Sequence, residues 1–135
     1  MTRLRLPALP SSAAVVRQRI SADLLKHGVS EEIVDDALLV ATELFSNALR
    51  HARALPGDEV DVNWEVQDGL VSIRVTDGGG LHRPHVRHPD PTETKGRGLS
   101  IVQTLAEEWG VDHAGATATV WATLRAQSSA TTREG

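Results

Sequence analysis

The chain has 135 residues, contains no cysteine and has no long apolar segment. The lack of cysteine excludes disulfide bonds, thiolate metal sites and thiol catalysis, and it fits a reducing compartment. No apolar run reaches the roughly 18 residues of a membrane-spanning helix, and the N-terminus lacks the apolar core of a signal peptide. We therefore expect a cytoplasmic protein that has no membrane segment.

An excess of positive charge is also missing, since the chain carries 14 basic and 18 acidic residues and a net charge of -4. A general nucleic-acid binder normally carries a basic stripe, so direct nucleic-acid binding is disfavoured. The length fits one domain with a core of its own. We predict one domain over residues 1–125 and a small, polar, disordered tail over 126–135.

Several catalytic and phosphate-binding motifs are absent. The sequence has no Gly-x-x-x-x-Gly-Lys-[Ser/Thr] phosphate loop and no Gly-x-Gly-x-x-Gly dinucleotide fingerprint. It also lacks the Gly-x-Ser-x-Gly elbow that presents a nucleophilic serine for acyl transfer. A nucleotide site in this chain must therefore be built in another way.

The hydrophobic pattern changes between period two and period 3.6 along the chain. It predicts, in order, an edge strand near 4–6, helices from Ser11 or Ser12 to about 26 and from Ser30 to about 54, strands over 60–66 and 70–77 joined at Asp68-Gly69, a long loop over 78–95, a helix over about 97–107, and strands over 109–113 and 117–124. This order favours an α+β fold, a two-layer sandwich whose mixed, mostly antiparallel sheet carries helices on one face.

Glu43 and Asn47 lie one turn apart on the second predicted helix, so their side chains point to one spot. They fall on the side opposite an alanine-rich packing stripe. An amide oxygen is a suitable ligand for Mg²⁺, and a nearby carboxylate can orient or deprotonate a nucleophile that attacks a γ-phosphate. The alternative is a surface polar pair with no catalytic role.

Asp77 ends a predicted strand and is followed by three glycines. A carboxylate at this place can accept a hydrogen bond from the exocyclic amino group of adenine. Glycine at position 79 and its neighbours would let a flat base approach the backbone. An ordinary turn after a strand is the alternative, because Asp-Gly is a common turn pair.

Gly96, Arg97 and Gly98 precede the last predicted helix, and Lys95 adds a positive charge. Free backbone N–H groups and the helix dipole make such a helix start an anion site. A flexible loop that meets a helix is the alternative interpretation. The loop before it carries His82, His85 and His88; without cysteine or a helix to fix their geometry, a solvated cationic lid is favoured over a zinc site.

Together these motifs resemble the GHKL superfamily of ATP-binding domains, which includes gyrase, Hsp90, histidine kinases and MutL. The run Glu-Leu-Phe-Ser-Asn-Ala-Leu-Arg-His-Ala over 43–52 resembles its N box. Asp77-Gly78-Gly79-Gly80 resembles the first glycine box, usually Asp-x-Gly-x-Gly, although position 81 is leucine. The run 96–102 resembles the second glycine box, and Thr119-Val120-Trp121 resembles a late strand whose threonine supports the adenine-binding acid.

Within that superfamily the likeness is strongest to the small stand-alone anti-sigma-factor serine/threonine kinases. The resemblance implies a Bergerat fold that uses ATP and Mg²⁺, with Asn47 as the Mg²⁺ ligand and Glu43 as the base or water-positioning residue. Asp77 would read adenine next to Gly79, with support from Thr119. The phosphates would lie against a set that runs from Lys95 through Gly96, Arg97 and Gly98 to Leu99.

Relatives of this type phosphorylate a serine or threonine of an anti-anti-sigma partner, hold or release a sigma factor, and often form homodimers. The activity that this resemblance implies is that of an ATP-dependent protein serine/threonine kinase. The alternative is a non-catalytic or degenerate ATP-binding module that regulates transcription by sequestering a protein partner, and the leucine at position 81 motivates it. A histidine kinase fragment is less favoured, because the segment before Ser30 is too short for a helical hairpin with a phosphoaccepting histidine.

Overall fold

The computed structural model describes residues 1–79 and 95–126, with the side chains of His51 and of 95–99 left out. The elements are β1 (Thr2–Pro7), α1 (Ser12–Lys26), α2 (Glu31–His51), β2 (Glu59–Gln67), β3 (Leu70–Asp77), α3 (Lys95–Leu105), β4 (Glu108–Ala114) and β5 (Thr117–Arg125). The predicted order of strands and helices is confirmed. The prediction of a lid with three histidines falls on 80–94, outside the described residues.

The five strands form one sheet in the order β1-β2-β3-β5-β4. All four strand pairings in this sheet are antiparallel, so the sheet is more regular than the mixed one that the sequence predicts. The three helices pack on one face. This α+β two-layer sandwich confirms the predicted fold class.

The helix α2 lies across the middle of the sheet because one of its stripes consists of small and apolar residues. Its members are buried: Val34, Ala37, Ala41, Phe45 and Ala48. The helix begins as predicted, since the Ser30 hydroxyl accepts a hydrogen bond from the Ile33 N–H at 3.3 Å, and two glutamates occupy the first turn. Burial of such a stripe, at about 1.5–3 kcal/mol for each large side chain, holds α2 on the sheet.

The end of α2 differs from the prediction. The helix ends at His51, because Ala52 is already extended at φ -133° and ψ 167°. The next residue, Arg53, forms backbone hydrogen bonds with the residues that follow β3. A helix that continued to about residue 54 could not form these hydrogen bonds, so contact with the segment after β3 determines where the helix ends.

The start of α1 also differs from the prediction of a serine cap. The Ser11 side chain makes no capping hydrogen bond. Ser12 is buried, and its hydroxyl donates to the Pro7 carbonyl at 2.8 Å. The serine therefore closes the connection between β1 and α1 rather than satisfying a helix N–H group.

The turn between β2 and β3 and the residue that follows β5 lie together at one end of the sheet. Asp68 and Gly69 have φ values of 54° and 77°, the conformation of a tight two-residue hairpin between β2 and β3, as predicted. Ala126 is buried and donates its N–H to the Gly69 carbonyl at 2.8 Å, so it belongs with the core. The rest of the predicted tail, 127–135, lies outside the described residues.

No helix in the described part of the chain is long and apolar enough to cross a membrane.

Candidate nucleotide site

The helix α2 places Glu43 and Asn47 one turn apart, as predicted, on the side that is not packed on the sheet. Both side chains are half-buried. The Asn47 Oδ1 atom is buried and has no hydrogen-bond partner among the described residues. An amide oxygen buried without a partner carries a desolvation cost that a bound cation or donor would remove.

At the end of β3, Asp77 is buried at 4% exposure. Its Oδ1 atom accepts a hydrogen bond of 2.7 Å from the Gly79 N–H, and its other oxygen receives none from the described residues. Burial raises the pKa of the Asp77 carboxyl, while the Gly79 hydrogen bond and the positive potential of His113 oppose that rise. The strand end therefore presents a buried carboxylate that has one oxygen available to a ligand.

A backbone clasp joins these two regions. The Gly78 N–H donates to the Arg53 carbonyl at 2.7 Å, and the Arg53 N–H donates to the Gly79 carbonyl at 2.9 Å. A Cβ atom at position 78 would collide with the Ala54 carbonyl oxygen. The segment that leaves α2 and the segment that leaves β3 are thus held together at backbone contact, which requires glycine.

Gly79 has a second constraint. Its φ is 84°, and a Cβ atom there would lie 2.5 Å from the Ala116 carbonyl oxygen in the β4–β5 turn. The first predicted glycine motif is therefore a site of close backbone approach on two sides, which an ordinary Asp-Gly turn would not need.

The second predicted glycine motif lies within α3. Lys95, Gly96, Arg97 and Gly98 form its first turn rather than a loop ahead of it, so the helix begins two residues earlier than predicted. The backbone N–H groups of this turn have no partner within the helix, which makes it the anion-binding end. The side chains of Lys95 to Leu99 lie outside the described residues, so their contacts stay predictions.

Thr119 does not lie beside the Asp77 side chain. Asp77 pairs with Ala118 across the β3–β5 ladder, and Thr119 pairs with Thr76. Because alternate residues of a strand face opposite sides of the sheet, Thr119 lies on the helix-free face. Its hydroxyl is 2.7 Å from the Thr76 hydroxyl. Any support that Thr119 gives to Asp77 passes through the neighbouring backbone.

No cluster of three or more His, Cys, Asp or Glu side chains that could hold a metal ion occurs within residues 1–79 and 95–126. A resident metal bound entirely by such side chains is thus not formed there. The single unpartnered oxygen of Asn47 fits a Mg²⁺ ion, which commonly takes one or two protein ligands and completes its shell with phosphates and water.

A separate cavity of about 510 Å³ lies near the end of α2, on the side toward β1. Its lining includes Pro7, Leu9, Ala48 and Val60. It does not include Glu43, Asn47 or Asp77, so this cavity is distinct from the nucleotide site that the motifs predict.

Sequence reasoning missed two members of the site. His113 lies on β4 in the same cross-strand row as Asp77, and Arg53 supplies the backbone clasp. Residues 113 and 118 pair in the hairpin whose two-residue turn is Gly115-Ala116, so counting outward from that turn would have placed His113 in this row. No sequence signal points to Arg53, because its part in the clasp uses only backbone atoms.

Curated relatives of this chain are serine-protein kinases named RsbW. The Listeria innocua protein is 25% identical over 117 residues, which cover 78% of this chain and 74% of that protein. The Bacillus licheniformis protein is 26% identical over 117 residues, with 78% and 73% covered. The Bacillus pumilus protein is 27% identical over 122 residues, with 80% and 75% covered.

Solved structures share the fold. One holds the RsbU and RsbW domains of a Mycobacterium tuberculosis protein; it matches with a TM-score of 0.69 and 22% identity over 93% of this chain, which spans 32% of that longer chain. The Acinetobacter baumannii histidine kinase AdeS matches with a TM-score of 0.51 and 12% identity, covering 93% of this chain and 68% of that one.

The model of the histidine kinase-like ATPase domain family matches residues 6–124. That range runs from β1 to the end of β5 and contains both arms of the site, α2 with Asn47 and β3 with Asp77. The GHKL-type resemblance that the motifs predict is thereby confirmed, and the chain belongs to the histidine kinase-like ATPase domain family.

Proposed function

We propose that this chain is an ATP-dependent serine/threonine protein kinase of the anti-sigma-factor type, which phosphorylates an anti-anti-sigma partner. Its membership in a kinase-like ATPase family and its likeness to proteins named serine-protein kinases support ATP use. The proposal includes a cytoplasmic location, a protein partner that is an anti-anti-sigma protein or a sigma factor, a homodimer, and no direct contact with nucleic acid or membrane.

The observation that carries the proposal is the buried, unpartnered Oδ1 atom of Asn47. Half-buried amides on a helix normally donate or accept hydrogen bonds, so an oxygen left without a partner is typical of a ligand site. Mg²⁺ held there would neutralise charge on the ATP phosphates. Asn47 would hold the ion through this oxygen, with the remaining ligands drawn from phosphates and water.

Glu43 is the proposed general base. It lies one turn before Asn47 on the same side of α2, so it points toward the phosphates that the ion would position. In the transfer step the oxygen of the partner's serine or threonine bonds to the γ-phosphorus, and the bond from that phosphorus to the β–γ bridging oxygen breaks. The hydroxyl proton passes to Glu43, and ADP leaves.

The remaining residues bind the nucleotide. The free oxygen of Asp77 accepts a hydrogen bond from the adenine amino group, while the Gly79 N–H holds the other oxygen of this carboxylate in place. The first turn of α3, from Lys95 to Leu99, receives the phosphates through its N–H groups. In this scheme α2 acts on the metal and the γ-phosphate, and the sheet reads the base.

A non-catalytic ATP-binding module that sequesters a protein partner is the second candidate function. It is favoured by one feature of the sequence: leucine occupies position 81, where the first glycine box usually has its last glycine. A module of this kind transfers no phosphoryl group, whether or not it still binds the nucleotide. Measuring binding and transfer on the same protein therefore separates the kinase from the sequestering module.

The test combines calorimetry with Mg·ATP and transfer of radiolabelled γ-phosphate to an anti-anti-sigma-like protein sought among the products of the neighbouring genes. We expect Glu43→Gln to keep ATP binding within about twofold and to lower the transfer rate about 100- to 10,000-fold, the usual contribution of a general base. Glu32→Gln, an exposed change near the start of the same helix, is the matched control and should transfer at the wild-type rate.

Tight ATP binding without transfer to that partner would reject the kinase proposal and favour the sequestering module. A second arm tests the metal. Asn47→Leu should bind ATP equally well with and without Mg²⁺, whereas the wild-type chain should bind it more tightly with the ion. If Mg²⁺ increased the affinity for ATP equally in both proteins, Asn47 would not be the Mg²⁺ ligand.

A further inference from the structure

One row of residues crosses the helix-covered face of the sheet at its Asp77 end. Asp77 of β3 pairs with Ala118 of β5, and Ala118 pairs with His113 of β4. Residues paired across neighbouring strands point to the same face, and neighbouring strands lie about 4.8 Å apart. The backbones of Asp77 and His113 are therefore about 10 Å apart, with the small Ala118 between them.

This row forms a shelf with a polar group at each end. Ala118 is buried at 8% exposure and contributes only a methyl group, so its side chain rises less far from the sheet than those of Asp77 and His113. The next row along the same face is apolar, since Val75 pairs with Val120 and Val120 pairs with Val111. A flat, largely apolar ring with polar edges matches this arrangement of methyl floor and polar ends.

Both ends are available to a ligand. The Asp77 carboxylate has one oxygen occupied by the Gly79 N–H and one without a donor among the described residues. His113 is exposed and makes no hydrogen bond or ion pair within the described part of the chain. The two groups are near enough to influence each other, because the positive potential of His113 lowers the pKa of Asp77 against the larger effect of burial.

We propose that His113 is a specificity-determining residue of the nucleotide site, which hydrogen-bonds the edge of the purine that lies away from Asp77. Asp77 accepts from the exocyclic amino group, and the His113 imidazole donates to a ring nitrogen across Ala118. This inference rests on the proposed adenine-nucleotide binding and adds a second contact to the base. His113 takes no part in phosphoryl transfer.

The test measures the affinity of the whole chain for Mg·ATP and for inorganic triphosphate, which has the phosphates but no base. We expect His113→Ala to weaken ATP binding about fivefold to tenfold and to leave triphosphate binding unchanged, because one hydrogen bond to the base is lost. His113→Gln keeps a side-chain donor and should recover most of the affinity. Asp112→Ala, next to it on the opposite face, should bind both ligands like the wild type.

The outcomes separate the two proposals. If His113→Ala binds ATP as tightly as the wild-type chain, the proposed role of His113 is wrong, while the proposed adenine site at Asp77 still stands. Equal weakening of ATP and triphosphate, or no recovery in His113→Gln, also overturns it, since the residue would then act on the phosphates or on the fold. Failure of the wild-type chain to bind ATP removes both proposals together.

Discussion

Two buried aspartates on neighbouring strands, Asp61 and Asp77, are each 4% exposed but are satisfied in different ways. Asp61 lies on the helix-free face, where its Oδ2 atom accepts hydrogen bonds from Arg3 Nε at 3.3 Å and Arg3 Nη2 at 2.9 Å. Asp77 lies on the helix-covered face, has no basic side chain bonded to it within residues 1–79 and 100–126, and is held by one backbone N–H.

The difference separates a structural acid from a binding acid. A carboxylate that forms an ion pair with arginine has its charge compensated within the fold, and Asp61 in return raises the pKa of Arg3 through its hydrogen bonds and charge. Asp77 lacks such compensation, and burial raises its pKa. Asp61 also keeps one oxygen, Oδ1, without a partner among the described residues, so the free oxygen alone does not distinguish the two acids. What distinguishes Asp77 is that no described cation compensates its charge, which leaves it to a ligand that donates a hydrogen bond.

The largest difference between the two aspartates is expected when each acid is replaced by its amide. Asp77→Asn should weaken ATP binding about 10- to 100-fold, because a charged acceptor for the adenine amino group is lost and the amide can place its own N–H₂ against it. Asp61→Asn should change the affinity less than about twofold, measured by calorimetry. Similar affinity losses in both variants would show that Asp77 has no special relation to the base.

The backbone that holds Asp77 can be tested through its glycine. Gly79→Ala should lower the free energy of unfolding by about 2–3 kcal/mol, because the new Cβ meets the Ala116 carbonyl in addition to the strained positive φ. Gly69→Ala is the matched control: its φ of 77° is similar, but nothing lies within 4 Å of the new Cβ. It should cost about 1 kcal/mol in urea unfolding, and equal losses would contradict the close approach at Gly79.

The ion pair on the other face should matter for stability rather than for binding. Arg3→Met removes the partner of a buried carboxylate, so we expect the melting temperature to fall by several degrees. ATP affinity, measured where the variant is folded, should remain that of the wild type. In the Arg3→Met, Asp61→Leu double variant the buried charge is also gone, and the melting temperature should rise above that of Arg3→Met alone. No rise would mean that Asp61 is not destabilised by the loss of Arg3.

The smallest expected effect concerns pH. Because the folded-state pKa of Asp77 is raised above 3.8, the folded chain holds this proton more readily than the unfolded chain does. Its contribution to stability is fully present below the unfolded pKa and is lost as the pH rises through the folded pKa. As the pH rises above about 4, the wild-type chain should therefore lose stability relative to Asp77→Asn until the Asp77 carboxyl is ionised in the folded state, as urea midpoints would record. Parallel pH dependences of the two proteins would contradict the raised pKa.

Most of the fold could be predicted from the sequence because its signals are local. Alternation identified the strands, the alanine-rich stripe identified the packed side of α2, and Ser30 marked its start. The errors occurred where contacts between distant segments determine the outcome. The end of α2 depends on hydrogen bonds between Arg53 and the residues after β3, and the Ser12 hydroxyl bonds to Pro7 across a chain turn.

The same distinction holds for the site. Glu43, Asn47 and Asp77 could be found from the sequence because residue type and spacing mark them. The face on which Thr119 lies could not be derived from a motif, since it depends on strand register: one position decides between Ala118 and Thr119 as the neighbour of Asp77. The same register places His113 in the cross-strand row of Asp77, and nothing in its own sequence surroundings indicates the nucleotide contact that we propose for it.

The backbone clasp between Arg53 and the 78–79 segment has a consequence for the design of inhibitors. Its two hydrogen bonds, at 2.7 and 2.9 Å, join the segment that follows Asp77 to the segment that follows α2, the helix of Asn47. In the proposed site, the spacing between the residue for the base and the residue for the metal is therefore set by the protein rather than by the ligand. A rigid compound that carries an adenine-like head and a metal-binding group at this spacing would lose little entropy on binding. A compound whose linker is one bond too short could engage one anchor but not both.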